Sequence, residues 1–188
     1  MKKYLATMAF CASLFTASNA FANVTTSGVS FGTSKATQGT MLSLQGTGII
    51  RYMGIFKLSV AGFYLPDGIP ADQALSDVPR ILELEYLHAI TKEDFAESTR
   101  VWIRKNTTEE SYKRLLPKIE RFNAFYKNVK PGDRYTLAYE PATGTTLSLN
   151  GKVMGSIPGA DFSAALFSIW IGGTPLSEKL RNGLLGLS

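Results

Sequence analysis

From Tyr4 to Phe15 apolar residues follow one another almost without interruption, and after that the chain breaks into short runs that alternate between apolar and polar. Met41 to Gly54 and Ile55 to Leu65 are both β-rich, and Pro66-Asp67-Gly68 supplies the turn that ends the second run. Together they predict a long hairpin with its corner at Gly54. Alternation in the second run puts Phe56, Leu58, Val60 and Tyr64 on one face, wholly suited to a core. Lys57, Ser59, Ala61 and Phe63 fall on the other face, which is mixed. A short acidic helical piece is expected around Ala71 to Ser76, and Arg80 to Leu87 (RILELEYL) alternates again as a strand.

The period then lengthens to that of a helix. Thr91-Lys92-Glu93-Asp94 has the form of an N-cap with an acid three positions on, and Phe95, Thr99, Trp102 and Ile103 share one face of a helix ending near Asn106. A second helix is expected from about Thr108 to Asn128, with Tyr112, Leu115, Leu116, Ile119, Phe122 and Tyr126 inward. Pro117 lies inside it and predicts a kink or a split, because proline lacks a donor and crowds the preceding turn. After Lys130-Pro131-Gly132-Asp133, three strands are expected at Tyr135 to Glu140, Thr145 to Asn150 and Lys152 to Ile157, the last two joined by the hairpin signal Asn150-Gly151. Ala160 to Ile171 is an apolar helix closed by Gly172-Gly173, and Thr174-Pro175 opens another. Few parallel crossovers fit this order, so the pattern predicts an α+β fold with an antiparallel sheet covered by helices.

The first apolar run changes how composition is counted. Lys2 and Lys3 precede it and Ser18-Asn19-Ala20-Phe21-Ala22 follows, the arrangement of a signal peptide cleaved after Ala22. The expected organisation is a signal peptide at 1–22, a flexible N-terminal arm or edge strand at 23–40, and one domain at 41–188. The run is too short for a stable bilayer anchor. The mature chain is expected to be exported, to have no membrane span, and to be a monomer. Its formal charge falls from +5 to +3 (5 − 2) with the two lysines. Cys11, the only cysteine, leaves with the signal, so no disulfide or thiolate metal site is expected. No dense basic stripe interleaved with aromatics points to nucleic acid. No His/Asp/Glu cluster has ligand spacing, so neither a metal nor a cofactor is expected. His88, the only histidine, sits at a strand end beside no nucleophile motif.

Arg51 stands out, a guanidinium on a strand face shared with Ile49 and Met53. Burying it without a partner costs several kcal/mol, so it reaches solvent, meets an internal carboxylate such as Glu83 or Glu85, or meets a ligand's carboxylate.

The segment GTGIIRYMGIFKLSVAGFYLP (46–66) is similar to the chalcone isomerase signature, a glycine-rich strand carrying an arginine and then a strand ending Gly-x-Tyr-Leu. Lys92-Glu93-Asp94-Phe95, Pro131-Gly132, Ser156-Ile157-Pro158 and the apolar helix ending Ile171-Gly172 follow in the same order, so the resemblance extends over roughly Gly46 to Gly186. It resembles the exported bacterial members, beside the plant enzymes and the plant fatty-acid-binding proteins. That implies an open-faced β-sandwich with a ligand cleft between sheet and helices, and a periplasmic location. In the enzymes the arginine meets negative charge developing as a phenolate adds intramolecularly to an enone. Arg51 matches that arginine and Ser59 the neighbouring threonine, and these two would be the catalytic set of an isomerase. Phe95 replaces the enzyme's tyrosine, Trp102 its asparagine, and Ser168 or Ile169 its late threonine. The polar set that recognises a flavonoid is thus mostly lost, while an Arg51–Ser59 clamp on a carboxylate, with Tyr52 or Tyr64 as a further contact, is kept. Phe95, Trp102, Leu166, Phe167 and Trp170 are either tunnel walls or plain core. The resemblance therefore implies a small hydrophobic carboxylate, such as a fatty acid, as ligand. An intramolecular lyase and a structural domain of an envelope complex are the alternatives.

Overall fold

The computed structural model describes residues 22–37 and 39–187. The expected signal peptide therefore lies outside the described residues except for Ala22, whose carbonyl accepts from the Thr33 amide at 2.9 Å.

Among the described residues nine strands and four helices are formed. Strands β1 (Asn23–Thr26) and β2 (Val29–Gly32) pair as a separate hairpin. The main sheet has seven strands, each antiparallel to its neighbours, in chain order: β3 (Ser34–Thr37), β4 (Thr40–Tyr52), β5 (Phe56–Leu65), β6 (Arg80–Tyr86), β7 (Arg134–Glu140), β8 (Gly144–Leu149) and β9 (Lys152–Ile157). Between β6 and β7 the chain leaves the sheet to form α1 (Lys92–Asn106) and α2 (Glu109–Asn123), and after β9 it forms α3 (Ala160–Ile171) and α4 (Glu178–Leu184). The expected α+β fold, a sheet with a helical layer, is what forms.

Local chemistry accounts for the boundaries. Met53 and Gly54 take φ of 51° and 73°, and Asn150 and Gly151 take 50° and 80°. Both central residues of each turn are thus left-handed, the geometry that matches the twist of a tight hairpin. Thr91 and Asp94 form a reciprocal capping box at the start of α1. Helix α2 ends at Asn123 rather than near Asn128, and it is not split at Pro117. The donor that Pro117 lacks is offset by Leu115, Ile119 and Phe122, all driven into the core from the same helix. Helix α4 starts later than Thr174-Pro175 predicts, because Ser177 supplies the N-cap oxygen, accepting from the Leu180 amide at 3.4 Å.

The main core fills the space between the helices and the inner sheet face, which carries Ala61, Phe63 and Leu65 from β5, Leu82 and Leu84 from β6, and Leu137 from β7. This reverses the expectation for β5. The face that looks mixed in sequence meets the helices, and of the face that looks fully apolar Val60 and Tyr64 lie outside. There Val60 packs with Val29 and Phe31 of the β1–β2 hairpin, and Tyr64 packs with Leu42 and Ile81. The segment at 23–40 is therefore a packed hairpin followed by an edge strand. Gly46 and Gly48 make room for the helical layer on β4, the strand beside that edge. A Cβ at Gly46 would collide with the Gly183 carbonyl, and one at Gly48 would stand 2.6 Å from Leu180 Cδ1, so bare backbone is what lets α4 dock on β4.

Candidate functional site

A cavity of about 500 Å³ lies between one end of the inner sheet face and the helices. Ile50 and Tyr52 of β4, Leu58 and Ser59 of β5, and Tyr86 of β6 form its floor. Asp94, Phe95, Ser98 and Thr99 of α1 form one wall, and Ile169, Trp170 and Leu176 form another. Tyr126, Tyr135, Leu137 and Leu147 close the deep end.

Register explains the floor. Ile50 pairs with Ser59 and Ser59 with Tyr86, so these three side chains stand in a row across three strands. The ladder slips between Ile50 and Arg51, where β5 carries the extra residue, Leu58. Such a bulge re-aims a side chain, and both Leu58 and Ser59 reach the cavity.

Four rings pack around the deep end. Phe95 stacks on Tyr126 at 5.1 Å and meets Tyr86 and Tyr135 edge-on at 5.2 and 5.5 Å. Edge-to-face sets of this kind gain beyond their buried area and hold the wall rigid. The hydroxyls are disposed differently. Tyr126 is bonded to Thr99 Oγ1 at 2.9 Å, and Tyr135 accepts from the Lys127 amide at 2.7 Å and donates to its carbonyl at 3.0 Å. Ser59 is 1% exposed, and its Oγ has no partner among the described residues. Burial pushes the Tyr86, Tyr126 and Tyr135 hydroxyls above the ordinary phenol range, so all three stay protonated donors near neutral pH.

No lysine, arginine or histidine lines the cavity. Its one acid, Asp94, is engaged by the Thr91 hydroxyl at 2.6 Å and the Thr91 amide at 3.3 Å. The site can thus hold an apolar body and offer neutral hydrogen bonds, and it has no fixed internal charge for an anion.

Of the residues singled out in the sequence, Ser59 and Phe95 line this cavity. Arg51 does not. It sits exposed at the end of β4, flanked by the lining residues Ile50 and Tyr52, and its Nη1 donates to the Ile55 carbonyl at 3.2 Å. Its expected internal partners are engaged elsewhere. Glu83 binds Lys35 at 2.8 Å and Arg134 at 3.2 Å, and Glu85 binds Arg134 at 2.6 Å, all on the outer sheet face. Tyr64 belongs to that outer face as well, its hydroxyl donating to Glu83 at 3.4 Å, so the sheet separates it from the cavity. Trp102 is half-buried beneath the Lys105 ammonium, 4.1 Å from its ring, and Ser168 turns back to bond the Ala165 carbonyl at 2.7 Å. Between Ser168 and Ile169, only Ile169 faces the cavity. Trp170 lines it too, whereas Leu166 and Phe167 are core. His88 is exposed.

Ile50, Tyr86, Thr99, Tyr126 and Tyr135 were not singled out for this site. Thr99 and Tyr126 do sit on inward helical faces in the sequence, where a buried hydroxyl is the available signal.

A second charged position is also hidden in the sequence pattern. Arg80 is wholly buried at the start of β6 and lines neither the main cavity nor the shallow pocket between α1 and α2. Its Nη1 donates to the Ala74 and Ser76 carbonyls at 2.9 and 2.6 Å, and its Nη2 to Ser163 Oγ at 2.7 Å. Tyr139 and Phe167 lie 4.5 and 5.0 Å from its guanidinium carbon, and burial pushes its pKa down to about 10.

The chalcone isomerase-like family model matches residues 23–186. The chain belongs to the chalcone isomerase-like family. The match takes in the β1–β2 hairpin as well as the region read as a resemblance. Among solved structures, a fatty-acid binding protein of Arabidopsis thaliana superposes with a TM-score of 0.70 at 15% identity, over 87% of this chain and 96% of that one. At that identity the likeness establishes the fold. No curated protein matches the sequence.

Proposed function

We propose that the chain binds a single-chain amphipathic carboxylate such as a fatty acid and performs no chemistry on it. The observation that carries this is an apolar, aromatic-walled cavity with a buried hydroxyl, Ser59 Oγ, that has no partner among the described residues. Its volume is in the ordinary range for a small-molecule site. The cavity has no cation, so the tail goes inside and the head stays at the rim. There the Arg51 guanidinium exchanges its neutral contact with the Ile55 carbonyl for a charge-assisted one to the carboxylate, which is about twice as strong. The fold shared with the Arabidopsis fatty-acid binding protein supports this reading, and the Met1 to Ala22 segment supports export to the periplasm.

Titration of palmitate into the purified protein and into Arg51→Ala tests the anchor. Loss of a hydrogen bond to a charged group is expected to weaken binding by about tenfold to a hundredfold. Mass spectrometry of acids released on denaturation tests the ligand class. If neither form binds or retains any amphipathic acid, the proposal fails.

An isomerase is the second reading, and the neutral donors Tyr86 and the Thr99–Tyr126 pair favour it, since a buried phenol can bond an enone carbonyl. Loss of chalcone absorbance above the spontaneous rate tests it. The third, a structural envelope domain with Arg51 paired internally, lacks both its marks: Glu83 and Glu85 are engaged elsewhere, and a cavity is present.

A further inference from the structure

The β4–β5 hairpin extends an apolar tip into solvent beside the cavity mouth. Tyr52, Met53, Ile55 and Phe56 are 61%, 75%, 72% and 60% exposed. Scattered exposed apolar residues need no explanation, but four on one turn form a patch. The turn holds them there. Met53 is a non-glycine residue at φ 51°, and Tyr52 pairs directly with Phe56, so both belong to the end of the ladder. The next pair inward is Arg51 with Lys57, so a cation stands on each strand just behind the apolar cap.

We propose that this tip is a membrane-docking element that inserts into the surface of an anionic lipid bilayer. Apolar and aromatic side chains with cations one step behind match the depth profile of such a surface, hydrocarbon first and phosphate above it. Arg51 and Lys57 supply the charge complementarity. A folded protein is a poorer occupant, because a specific interface needs about 20–30 residues a side and the tip offers five. Tyr52 is both a tip residue and a cavity-lining residue, so docking places the cavity mouth against the lipid.

Co-sedimentation of the purified protein, as processed by the cell, with vesicles of phosphatidylglycerol or of phosphatidylcholine tests this without any free fatty acid. The protein is expected to sediment with the anionic vesicles, more weakly at high salt, and little with the neutral ones. Ile55→Ser with Phe56→Ser removes two inserting side chains and is expected to weaken binding by about a hundredfold. Arg51→Gln with Lys57→Gln is expected to weaken it by about thirtyfold and to abolish the salt dependence. All four positions are exposed, so thermal unfolding should be unchanged. Failure of the protein to bind anionic vesicles overturns the proposal, and so does equal binding by the serine variant. A wild-type dimer in sedimentation velocity that the serine variant dissolves would assign the tip to a second copy of the chain, and would also overturn it. None of these outcomes depends on whether palmitate binds.

Discussion

Two arginines occupy opposite situations in this molecule. Arg51 interrupts an apolar hairpin and ends exposed, with one neutral hydrogen bond. Arg80 opens the strand RILELEYL, and no part of it touches solvent. The difference lies in what packs above each position. The 3-10 turn at Ala71–Gln73 and helix α3 close over Arg80, and its guanidinium ties the two together through the Ala74 and Ser76 carbonyls and the Ser163 hydroxyl. A fork of donors can satisfy several acceptors at once, and two aromatic faces replace part of its lost hydration. Among the described residues nothing closes over the end of β4, so Arg51 stays exposed with only the Ile55 carbonyl to bond.

Arg80→Ala is the variant that tests the contrast hardest. It empties a large buried site and strands three acceptors, and it is expected to lower stability by about 3–5 kcal/mol in guanidinium denaturation. A loss as small as that of an ordinary surface substitution would mean that Arg80 does not hold the turn to α3. Gly46→Ala comes next, at about 1–3 kcal/mol, because its new methyl meets backbone and α4 must move. Gly48→Ala should cost less, since it meets only the flexible end of Leu180. Scanning calorimetry separates the two glycines, and equal melting temperatures would show that α4 moves as freely as a side chain.

Alkaline pH probes the buried end of the comparison by titration. Burial raises the pKa of Tyr64, Tyr86, Tyr126 and Tyr135, and that of Tyr139 to about 12. Above about pH 10 the unfolded chain releases these phenolic protons and the folded chain keeps them, so stability should be level below pH 9 and fall as pH rises further. Arg80 acts in the opposite sense, because its folded pKa is depressed, and one arginine is outnumbered by five tyrosines. A denaturation midpoint unchanged from pH 8 to 11 would contradict the dry interior. The smallest effect belongs to Arg51→Ala, expected to shift stability by less than about 0.5 kcal/mol while weakening palmitate binding, the mark of a residue kept for a ligand.

Much of the architecture was legible because it depends on neighbours in sequence. The capping box at Thr91 and Asp94, the turns at Met53-Gly54 and Asn150-Gly151, the apolar helix at Ala160–Ile171 and the alternation of each strand all follow from interactions a few residues long. The site was legible only in part. Ser59 and Phe95 were found, whereas Tyr64, Trp102 and Ser168 lie away from the cavity. The four-ring cluster draws on β6, α1, β7 and the segment after α2, which no local pattern joins.

What the sequence determined by itself was the order and type of elements, the α+β class and the family, since backbone hydrogen bonding, capping and side-chain period are local. What only the tertiary structure decided was which face of β5 meets the helices and which arginine is dry. Alternation marks two faces of a strand but does not name them. The packing of the β1–β2 hairpin against Val60 and of the helices against Ala61 and Phe63 chose between them.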